Sequence, residues 1–278
     1  MRFTKMHGIG NDFVMVSLFE ERVRDPEALA LAVSRPHYGV GADGLILIQP
    51  SEVADIAMRI FNADGSEAEM CGNGIRCAGK YAYERGLCTG EEIRVETRAG
   101  IRTIRLSVEN GRATAATVNM GEPRLRRREI PMAGPDDARV IDEDLSVDGW
   151  RLLVTCLSMG NPHCVIPVRS LDETPWTEIG PKVETHPAFP ERTNVPFVET
   201  IGPRELKIAT WERGSGPTLA CGTGASASCV AMNLLGRSER RVLAHLAGGN
   251  MEVDWSGEDN CVYITGPAEE VFTGDWPD

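Results

Sequence analysis

Two stretches of this chain, 150 positions apart, match each other without a gap. The segment FNADGSEAEMCGNG at 61–74 aligns with WERGSGPTLACGTG at 211–224, which sets aromatic against aromatic and Cys-Gly-x-Gly against Cys-Gly-x-Gly. The shorter segments GNDFV and GNPHCV have the same offset and bring Asn11 opposite Asn161. Because two separate matches share one offset, the sequence predicts a duplicated domain.

Each copy places a cysteine directly before a Gly-x-Gly turn and a run of small residues. GNGIRCAGKYAYERG follows Cys71 and GTGASASCVAMNLLGR follows Cys221, which predicts two tightly packed helices. The first N–H groups of a helix have no partner within it and the dipole is positive there, so an anion is stabilised. We therefore expect a lowered thiol pKa at both cysteines and a substrate carboxylate bound at the helix ends. The amides that would hold it belong to Gly72, Asn73, Gly222 and Thr223.

Each of these residues also has a less specific interpretation. A single cysteine is more often a small buried hydrophobe than a reactive group. We interpret six in that way: Cys77, Cys88, Cys156, Cys164, Cys229 and Cys261. For Cys71 and Cys221 the alternative to a shared chemical role is packing inherited from the duplication. His163 is either a satisfied histidine or, two residues after Asn161, part of the site.

Composition narrows the class of function. With 42% hydrophobic residues over 278 positions, the chain can bury a core in each of two domains. A net charge of −12 argues against nucleic acid or an anionic membrane as partner and favours a small polar substrate. No apolar run approaches the ~20 residues of a membrane span and no secretory signal is recognised, so we expect a cytoplasmic protein. Cys-x-x-Cys and His-Glu-x-x-His motifs are absent from the sequence, and we predict no metal site.

Short strand-like runs with few helices predict an α+β fold. The run DPEALALAVSR predicts a helix with Asp25 as N-cap and Pro26 at its first position. Two strands are predicted to form a hairpin that turns at Asn110-Gly111. The charged, Pro- and Gly-rich stretch 122–149 predicts a domain border at its start and a solvated surface loop in its acidic part.

The stretch GVGADG has the G-x-G-x-x-G spacing of dinucleotide sites at Gly39, Gly41 and Gly44. Such a site needs a strand before the glycines and a helix after them, so that the pyrophosphate meets the helix amides. Here a predicted helix precedes and the predicted strand LILIQ follows. We therefore predict no nucleotide site.

Two thiols, one from each copy, fit a reaction at one carbon atom. If the copies face each other about a pseudo-twofold axis, one cysteine removes a Cα proton from one face. The other cysteine returns a proton to the opposite face, and the centre is inverted. Amides at the helix ends would stabilise the charge that spreads onto the α-carboxylate. This chemistry needs no cofactor, and no stretch of the sequence is typical of a pyridoxal-phosphate site.

Six ordered motifs resemble those of diaminopimelate epimerase. They are KMHGIGNDF, MRIFNADGSEAEMCGNGIRCAGKY, MGNPH, ERTNVPFV, WERGSGPTLACGTGA and TGPAEEVF. The resemblance implies two pseudo-symmetric α/β domains, each a barrel-like mixed sheet around a central helix, spanning 1–122 plus 268–278 and 123–267. It also implies a homodimer that interconverts L,L- and meso-diaminopimelate in lysine and peptidoglycan synthesis, without pyridoxal phosphate or metal.

The resemblance also implies residue roles. Cys71 and Cys221 would be the two bases, and the four helix-end amides would hold the reacting carboxylate. The rest of the substrate would be bound by Asn11, Asn62, Asn161, Asn194, Glu212 and Arg213. Arg213 and three of the asparagine amides suit the distal carboxylate, and Glu212 suits the distal ammonium. His163 and Glu212 would also tune the thiols.

The chain departs from the family pattern at two positions, and three rival functions stay open. Gly44 stands where some family members have glutamine, and Phe272 stands where family dimers use tyrosine, so the ring remains without its hydroxyl. A proline or hydroxyproline racemase of the same fold would resemble Cys-Gly-His-Gly at the first site, where this chain has Asn73. The second rival is a thiol redox or peroxide-sensing protein, and the third is a non-catalytic amino-acid-binding protein.

Overall fold

The structure of the protein is a computed structural model that describes residues 1–277. Its first half contains β1 (Arg2–Gly8), β2 (Asn11–Ser17), α1 (Pro26–Ser34), β3 (Gly44–Gln49), β4 (Ile56–Asn62), β5 (Glu67–Ala68), α2 (Gly72–Glu84), β6 (Glu92–Thr97), β7 (Gly100–Glu109) and β8 (Arg112–Gly121). Its second half contains β9 (Val140–Val147), β10 (Trp150–Ser158), β11 (Pro162–Val168), α3 (Trp176–Glu184), β12 (Val195–Gly202), β13 (Glu205–Glu212), β14 (Gly216–Pro217), α4 (Gly222–Leu234), β15 (Arg241–Leu246), β16 (Gly249–Trp255), β17 (Val262–Gly266) and β18 (Glu269–Asp275).

The chain divides into two compact units. Unit 1 comprises Met1–Asn119 and Thr265–Asp278, and unit 2 comprises Met120–Ile264. Each border lies three residues before the corresponding predicted one, at 122 and 267, and falls inside a strand, β8 or β17. The C-terminal strand β18 therefore belongs to unit 1, where it pairs with β1.

Unit 1 is a mixed sheet built around α2. The pairs β1–β18, β1–β2, β3–β4, β6–β7 and β7–β8 are antiparallel, and β2–β3 and β4–β6 are parallel. Helix α2 packs against β1, β2, β3, β4, β6 and β7, and ten of its thirteen residues are buried. Helix α1 packs against β3 and β4 and closes a separate apolar cluster that includes Val33, Leu45 and Phe61.

Unit 2 repeats this order of pairings. The pairs β9–β10, β10–β11, β12–β13 and β15–β16 are antiparallel, and β11–β12 and β13–β15 are parallel. Helix α4 takes the place of α2, and α3 takes the place of α1. The predicted duplication and the α+β class of two pseudo-symmetric domains are confirmed, because both units repeat one succession of strand directions around one buried helix.

Three local features predicted from the sequence can be compared with the structure: the start of α1, the hairpin turn and the GVGADG stretch. The Asp25 side chain accepts a hydrogen bond from Ala28 N at 3.0 Å, and Pro26 opens α1. Asn110 and Gly111 have φ values of 50° and 77°, which a hairpin turn of type I′ requires. The stretch GVGADG follows α1 and leads into β3, the reverse of a dinucleotide site.

The prediction of a surface loop for the acidic part of 122–149 is wrong from Val140 onward. Asp136 and Asp137 lie in an exposed turn, but Val140–Val147 form β9, which pairs antiparallel with β10. Val140, Leu145 and Val147 are buried in the unit 2 core, while the acidic residues between them are exposed. Burial of these three apolar side chains in one core holds the strand in place, and the charged residues between them mask this pattern in the sequence. Among residues 1–277, no helix is long and apolar enough to cross a membrane.

Candidate functional site

Cys71 and Cys221, the two cysteines selected from the sequence, are both helix N-caps. Cys71 Sγ accepts a hydrogen bond from Gly74 N at 3.4 Å, at the start of α2. Cys221 Sγ accepts one from Gly224 N at 3.3 Å, at the start of α4. The predicted position before a helix N-terminus is confirmed for both. The first amides of each helix, where an anion is stabilised, therefore lie beside a sulfur atom.

In unit 1, Asn11 meets the start of α2. Its Oδ1 accepts a hydrogen bond from Asn73 Nδ2 at 3.0 Å and lies 3.6 Å from Cys71 Sγ. Asn11 is the first residue of β2, which follows the turn at Ile9 and Gly10, both with positive φ. That turn brings the asparagine back to the helix end, so the structure gathers Asn11, Asn73 and Cys71 within unit 1.

Two residues outside the predicted set bond directly to this group. Asp43 Oδ2 accepts a hydrogen bond from Asn11 Nδ2 at 2.6 Å. Arg76 donates to Asn73 Oδ1 at 3.0 Å and to Gly72 O at 3.1 Å, and its side chain is fully buried. The sequence feature that could have pointed to Asp43 is a charged residue between the glycines of GVGADG. For Arg76, that feature is an arginine on the buried face of a predicted helix.

Asn62 lies apart from these bonds. It ends β4, is exposed, and donates to Ser66 Oγ at 2.9 Å. Gly44 pairs with it across the β3–β4 ladder. A Cβ added at Gly44 would collide with the backbone oxygen of Phe61, so this chain has no room for a larger side chain at position 44 without a backbone shift.

In unit 2, three side chains form a hydrogen-bonded series that reaches Cys221. His163 Nε2 lies 2.9 Å from Asn161 Oδ1, and Asn161 Nδ2 donates to Thr223 Oγ1 at 3.3 Å. Thr223 Oγ1 lies 3.6 Å from Cys221 Sγ. Because Asn161 Oδ1 only accepts, His163 Nε2 carries the proton and donates it. A continuous series of contacts therefore joins His163 to Cys221 through Asn161 and Thr223.

His163 is neutral in the folded protein. Burial, and then the charge of Arg213, lower the pKa of its ring to about 3. Its Nδ1 is buried without a hydrogen-bond partner in the structure. A neutral ring can orient Asn161, but it supplies no positive charge to a thiolate.

Glu212 lies beside the second thiol. Burial first, and then the Glu212 carboxylate, raise the pKa of Cys221 well above its ordinary value, against opposing hydrogen bonds from Thr223 and Gly224. The expectation of a lowered pKa is therefore wrong for Cys221, because burial outweighs the helix end. Glu212 Oε1 also accepts a hydrogen bond from Thr218 Oγ1 at 2.6 Å, which holds its carboxylate.

The remaining predicted residues of unit 2, Asn194 and Arg213, are joined by a hydrogen bond. Asn194 is 3% exposed, and its Oδ1 accepts a hydrogen bond from Arg213 N at 3.0 Å. Its Nδ2 donates to Pro162 O at 2.9 Å, so in this structure it ties the backbone of β11 to that of Arg213. The Arg213 guanidinium is exposed and donates to Glu191 O at 3.1 Å.

Comparison with known proteins identifies relatives over the whole chain. The family model described as diaminopimelate epimerase matches residues 3–126 and 155–271. The diaminopimelate epimerase of Pelotomaculum thermopropionicum is 54% identical over 279 residues, covering 100% of this chain and 99% of that protein. That of Moorella thermoacetica is 55% identical over 278 residues, with coverage of 100% and 99%. The resemblance inferred from the motifs is confirmed.

Solved structures share the fold at low sequence identity. A probable proline racemase from Agrobacterium radiobacter has a TM-score of 0.73 at 15% identity, covering 99% of this chain and 92% of that one. A hydroxyproline epimerase from Agrobacterium vitis has a TM-score of 0.71 at 16% identity, with coverage of 99% and 90%. At such identities the likeness establishes the fold alone.

Proposed function

Because the chain belongs to the diaminopimelate epimerase family, we propose that it inverts the α-carbon of L,L-diaminopimelate to give meso-diaminopimelate, with Cys71 and Cys221 as the two proton-transfer groups. This step serves lysine and peptidoglycan synthesis. One observation carries the two-thiol mechanism: topologically equivalent helices, α2 and α4, each begin at a cysteine whose sulfur serves as N-cap. Members of this family are epimerases that work without pyridoxal phosphate.

The proposed reaction needs one thiolate and one thiol. The thiolate takes the Cα proton and becomes a thiol, while the other thiol gives its proton to the opposite face and becomes the thiolate. No net proton is consumed, and the reverse reaction exchanges the roles. The amides of Gly72, Asn73, Gly222 and Thr223 stabilise the charge that builds on the α-carboxylate while the carbon is planar.

The distal amino-acid group of the substrate would be bound through charge and hydrogen bonds. The exposed Arg213 guanidinium suits a carboxylate, and the Glu212 carboxylate suits an ammonium. Asn62, Asn161 and Asn194 would add amide contacts or hold the residues that make them. A substrate with a second charged centre would therefore be favoured over proline, which lacks it.

Incubation of the protein with L,L-diaminopimelate in deuterated water tests the proposal. We expect α-deuterium in the product together with stereoinversion. Cys71→Ala and Cys221→Ala should each abolish turnover with the fold retained. The matched control is Cys88→Ala, which removes a half-buried cysteine outside the predicted site and should turn over as wild type. Turnover retained in both site variants would refute the two-thiol mechanism.

The same samples distinguish the rival functions. A proline or hydroxyproline racemase would invert proline and leave diaminopimelate unchanged. A redox or peroxide-sensing protein would cycle a disulfide with activity, whereas an epimerase would only be inactivated by oxidation. A binding protein would hold diaminopimelate without exchanging its α-proton.

The proposal extends to a homodimer in the cytoplasm. Val271 and Phe272 on β18 are about half exposed, at 55% and 46%, and Phe272 meets the Phe3 ring edge-on at a centroid distance of 6.0 Å. Two exposed apolar side chains next to each other on one strand suit contact with a second copy. Sedimentation of wild type against Phe272→Ser tests it: the variant should shift toward the monomer mass, and a wild-type monomer would refute it.

A further inference from the structure

A polarised chain of hydrogen bonds crosses the start of α2. Arg76 donates to Asn73 Oδ1 at 3.0 Å, Asn73 Nδ2 donates to Asn11 Oδ1 at 3.0 Å, and Asn11 Nδ2 donates to Asp43 Oδ2 at 2.6 Å. The chain starts at a guanidinium, which only donates, and ends at a carboxylate, which only accepts. All four side chains belong to unit 1.

The two charged ends leave each amide a single orientation. If Asn73 turned over, its NH2 group would face the Arg76 guanidinium, donor against donor. If Asn11 turned over, its carbonyl would face the Asp43 carboxylate and its NH2 group would face that of Asn73. Both arrangements lose hydrogen bonds and add repulsion in a partly buried site.

The orientation of Asn11 decides what Cys71 meets. Asn11 Oδ1 lies 3.6 Å from Cys71 Sγ, so the sulfur faces an acceptor that suits the S–H of a thiol. A turned Asn11 would offer an N–H group instead, which stabilises a thiolate. The hydrogen-bond chain therefore decides whether an acceptor or a donor lies 3.6 Å from Cys71 Sγ, while Gly74 N donates to the same sulfur in either case.

Both ends of the hydrogen-bond chain, Arg76 and Asp43, are fixed by other contacts. The buried Arg76 also donates to Gly72 O at 3.1 Å and to Pro267 O at 3.4 Å. At the other end, Asp43 Oδ2 accepts a second hydrogen bond from Asp12 N at 3.0 Å, and Asp43 N donates to Asp12 Oδ1 at 3.1 Å. Lys5 pairs with Asp12, and this ties the loop before β3 to β1.

The equivalent asparagine of unit 2 is turned the other way. Asn161 receives a hydrogen bond on Oδ1 from His163 and points its Nδ2 to Thr223. The duplicated position thus presents a carbonyl to Cys71 in one copy and an NH2 group to Thr223 at the helix end in the other. The partner on the far side of each amide, Asp43 or His163, decides which.

We propose that Asp43 is a positioning residue, which with Arg76 fixes Asn11 so that its carbonyl oxygen faces Cys71. This inference rests on the proposed role of Cys71 in epimerisation. Its consequence is that the Asn11 carbonyl oxygen favours the thiol form of Cys71 as long as this series of hydrogen bonds is intact. Asp43 touches neither the substrate nor the reacting atoms in this scheme and acts through Asn11.

Two variants separate the hydrogen bond from the charge. Asp43→Asn and Asp43→Ala both remove one negative charge, but only asparagine keeps an oxygen that can accept from Asn11 Nδ2. We expect kcat to fall by about tenfold or more in Asp43→Ala and by less than about threefold in Asp43→Asn. Equal losses of kcat in the two variants would overturn the proposal.

The pH dependence of thiol alkylation gives a readout that needs no turnover. Iodoacetamide labelling, followed by mass spectrometry of the separate Cys71 and Cys221 peptides, yields a midpoint for each thiol. For Cys71 we expect a midpoint lower by about half a pH unit or more in Asp43→Ala than in Asp43→Asn. Arg76 and Cys77, the titratable neighbours of Cys71 on α2, are identical in both variants.

Cys221 in the same sample is the internal reference. An equal shift at both thiols would indicate general loosening and would refute a role specific to Cys71, as would an unchanged Cys71 midpoint. Asp43→Ser, whose hydroxyl both donates and accepts, should give an intermediate midpoint and keeps the test available if Asp43→Ala does not fold. Failure of the wild type to exchange α-deuterium would instead refute the proposed function and leave the alkylation result standing.

Discussion

Acid should destabilise the protein through His163. Burial, and then Arg213, lower the pKa of this ring from 6.5 to about 3. As the pH falls below about 6.5, the unfolded chain takes up a proton that the folded chain refuses, so stability present above that pH is lost toward about pH 3. One pH unit corresponds to about 1.4 kcal/mol, so about 2 kcal/mol is lost from this residue at about pH 5.

Urea unfolding of wild type and His163→Gln at about pH 7.5 and about pH 5 measures this loss. Glutamine does not titrate, and its NH2 group can still donate to Asn161. Four of the five tryptophans lie in unit 2, so tryptophan fluorescence reports mainly on the unit that contains His163. The substitution should cost stability near neutral pH, and that cost should shrink by about 2 kcal/mol at the lower pH, because only the wild type carries the proton penalty.

His245→Gln is a matched control with the opposite sign. The Glu205 carboxylate raises the pKa of His245, so stability from the protonated ring is present below its unfolded pKa and lost as the pH rises through the folded pKa. The cost of His245→Gln should therefore grow on acidification. If the cost of His163→Gln is the same at both pH values, His163 is not held neutral by burial and the reasoning fails.

Three further substitutions give separate tests. Thr223→Val removes the hydroxyl that contacts Cys221 and Asn161, and it should lower kcat by about tenfold and move the alkylation midpoint of Cys221 to higher pH; an unchanged midpoint would contradict the contact. Burial raises the pKa of Cys77 from 9.0 to about 12, so the unfolded chain alone loses this proton above about pH 9. The cost of Cys77→Ala in urea unfolding should then shrink by about 2 kcal/mol between about pH 7.5 and pH 10.5, and a constant cost would count against it. Gly180→Ala would place a Cβ 2.7 Å from Trp211 Cγ and should lower stability by about 1–3 kcal/mol in thermal unfolding, whereas Gly257→Ala, with nothing within 4 Å, should change little.

The sequence predicts the architecture where one physical cause acts locally or is repeated. The offset of 150 residues predicts two units of one topology, because equivalent apolar runs must form equivalent strands. The predicted N-cap at Asp25 and the predicted turn at Asn110-Gly111 are confirmed, because capping and left-handed turns depend on adjacent residues. The strand β9 is missed because its stability depends on pairing with β10 and on burial of Val140, Leu145 and Val147 in a core assembled from distant segments.

The same distinction holds at the candidate site. Residue type and spacing predict a cysteine at a helix N-terminus and an asparagine at a matched position in each copy, since these follow from the repeat. The direction in which each asparagine points does not follow, because Asp43 approaches Asn11 from a loop 32 positions away. The pKa of Cys221 is likewise set by burial and by Glu212, which the sequence cannot weigh against the helix end.

The differences between the copies matter as much as their likeness. Arg76 and Ser226 occupy equivalent positions and donate to equivalent carbonyls, Gly72 O at 3.1 Å and Gly222 O at 2.9 Å. Only Arg76 adds a charge that can orient the next side chain, and Thr223 replaces Asn73 as the link to the cysteine. In the proposed reaction the two sulfurs must hold one proton between them at the start of each turnover. The duplication supplies two equivalent sulfur positions, and these substitutions give them different neighbours: the Asn11 carbonyl oxygen at Cys71, and the Thr223 hydroxyl together with the Glu212 carboxylate at Cys221. Equivalent backbone positions therefore carry thiols whose pKa values are set by different side chains.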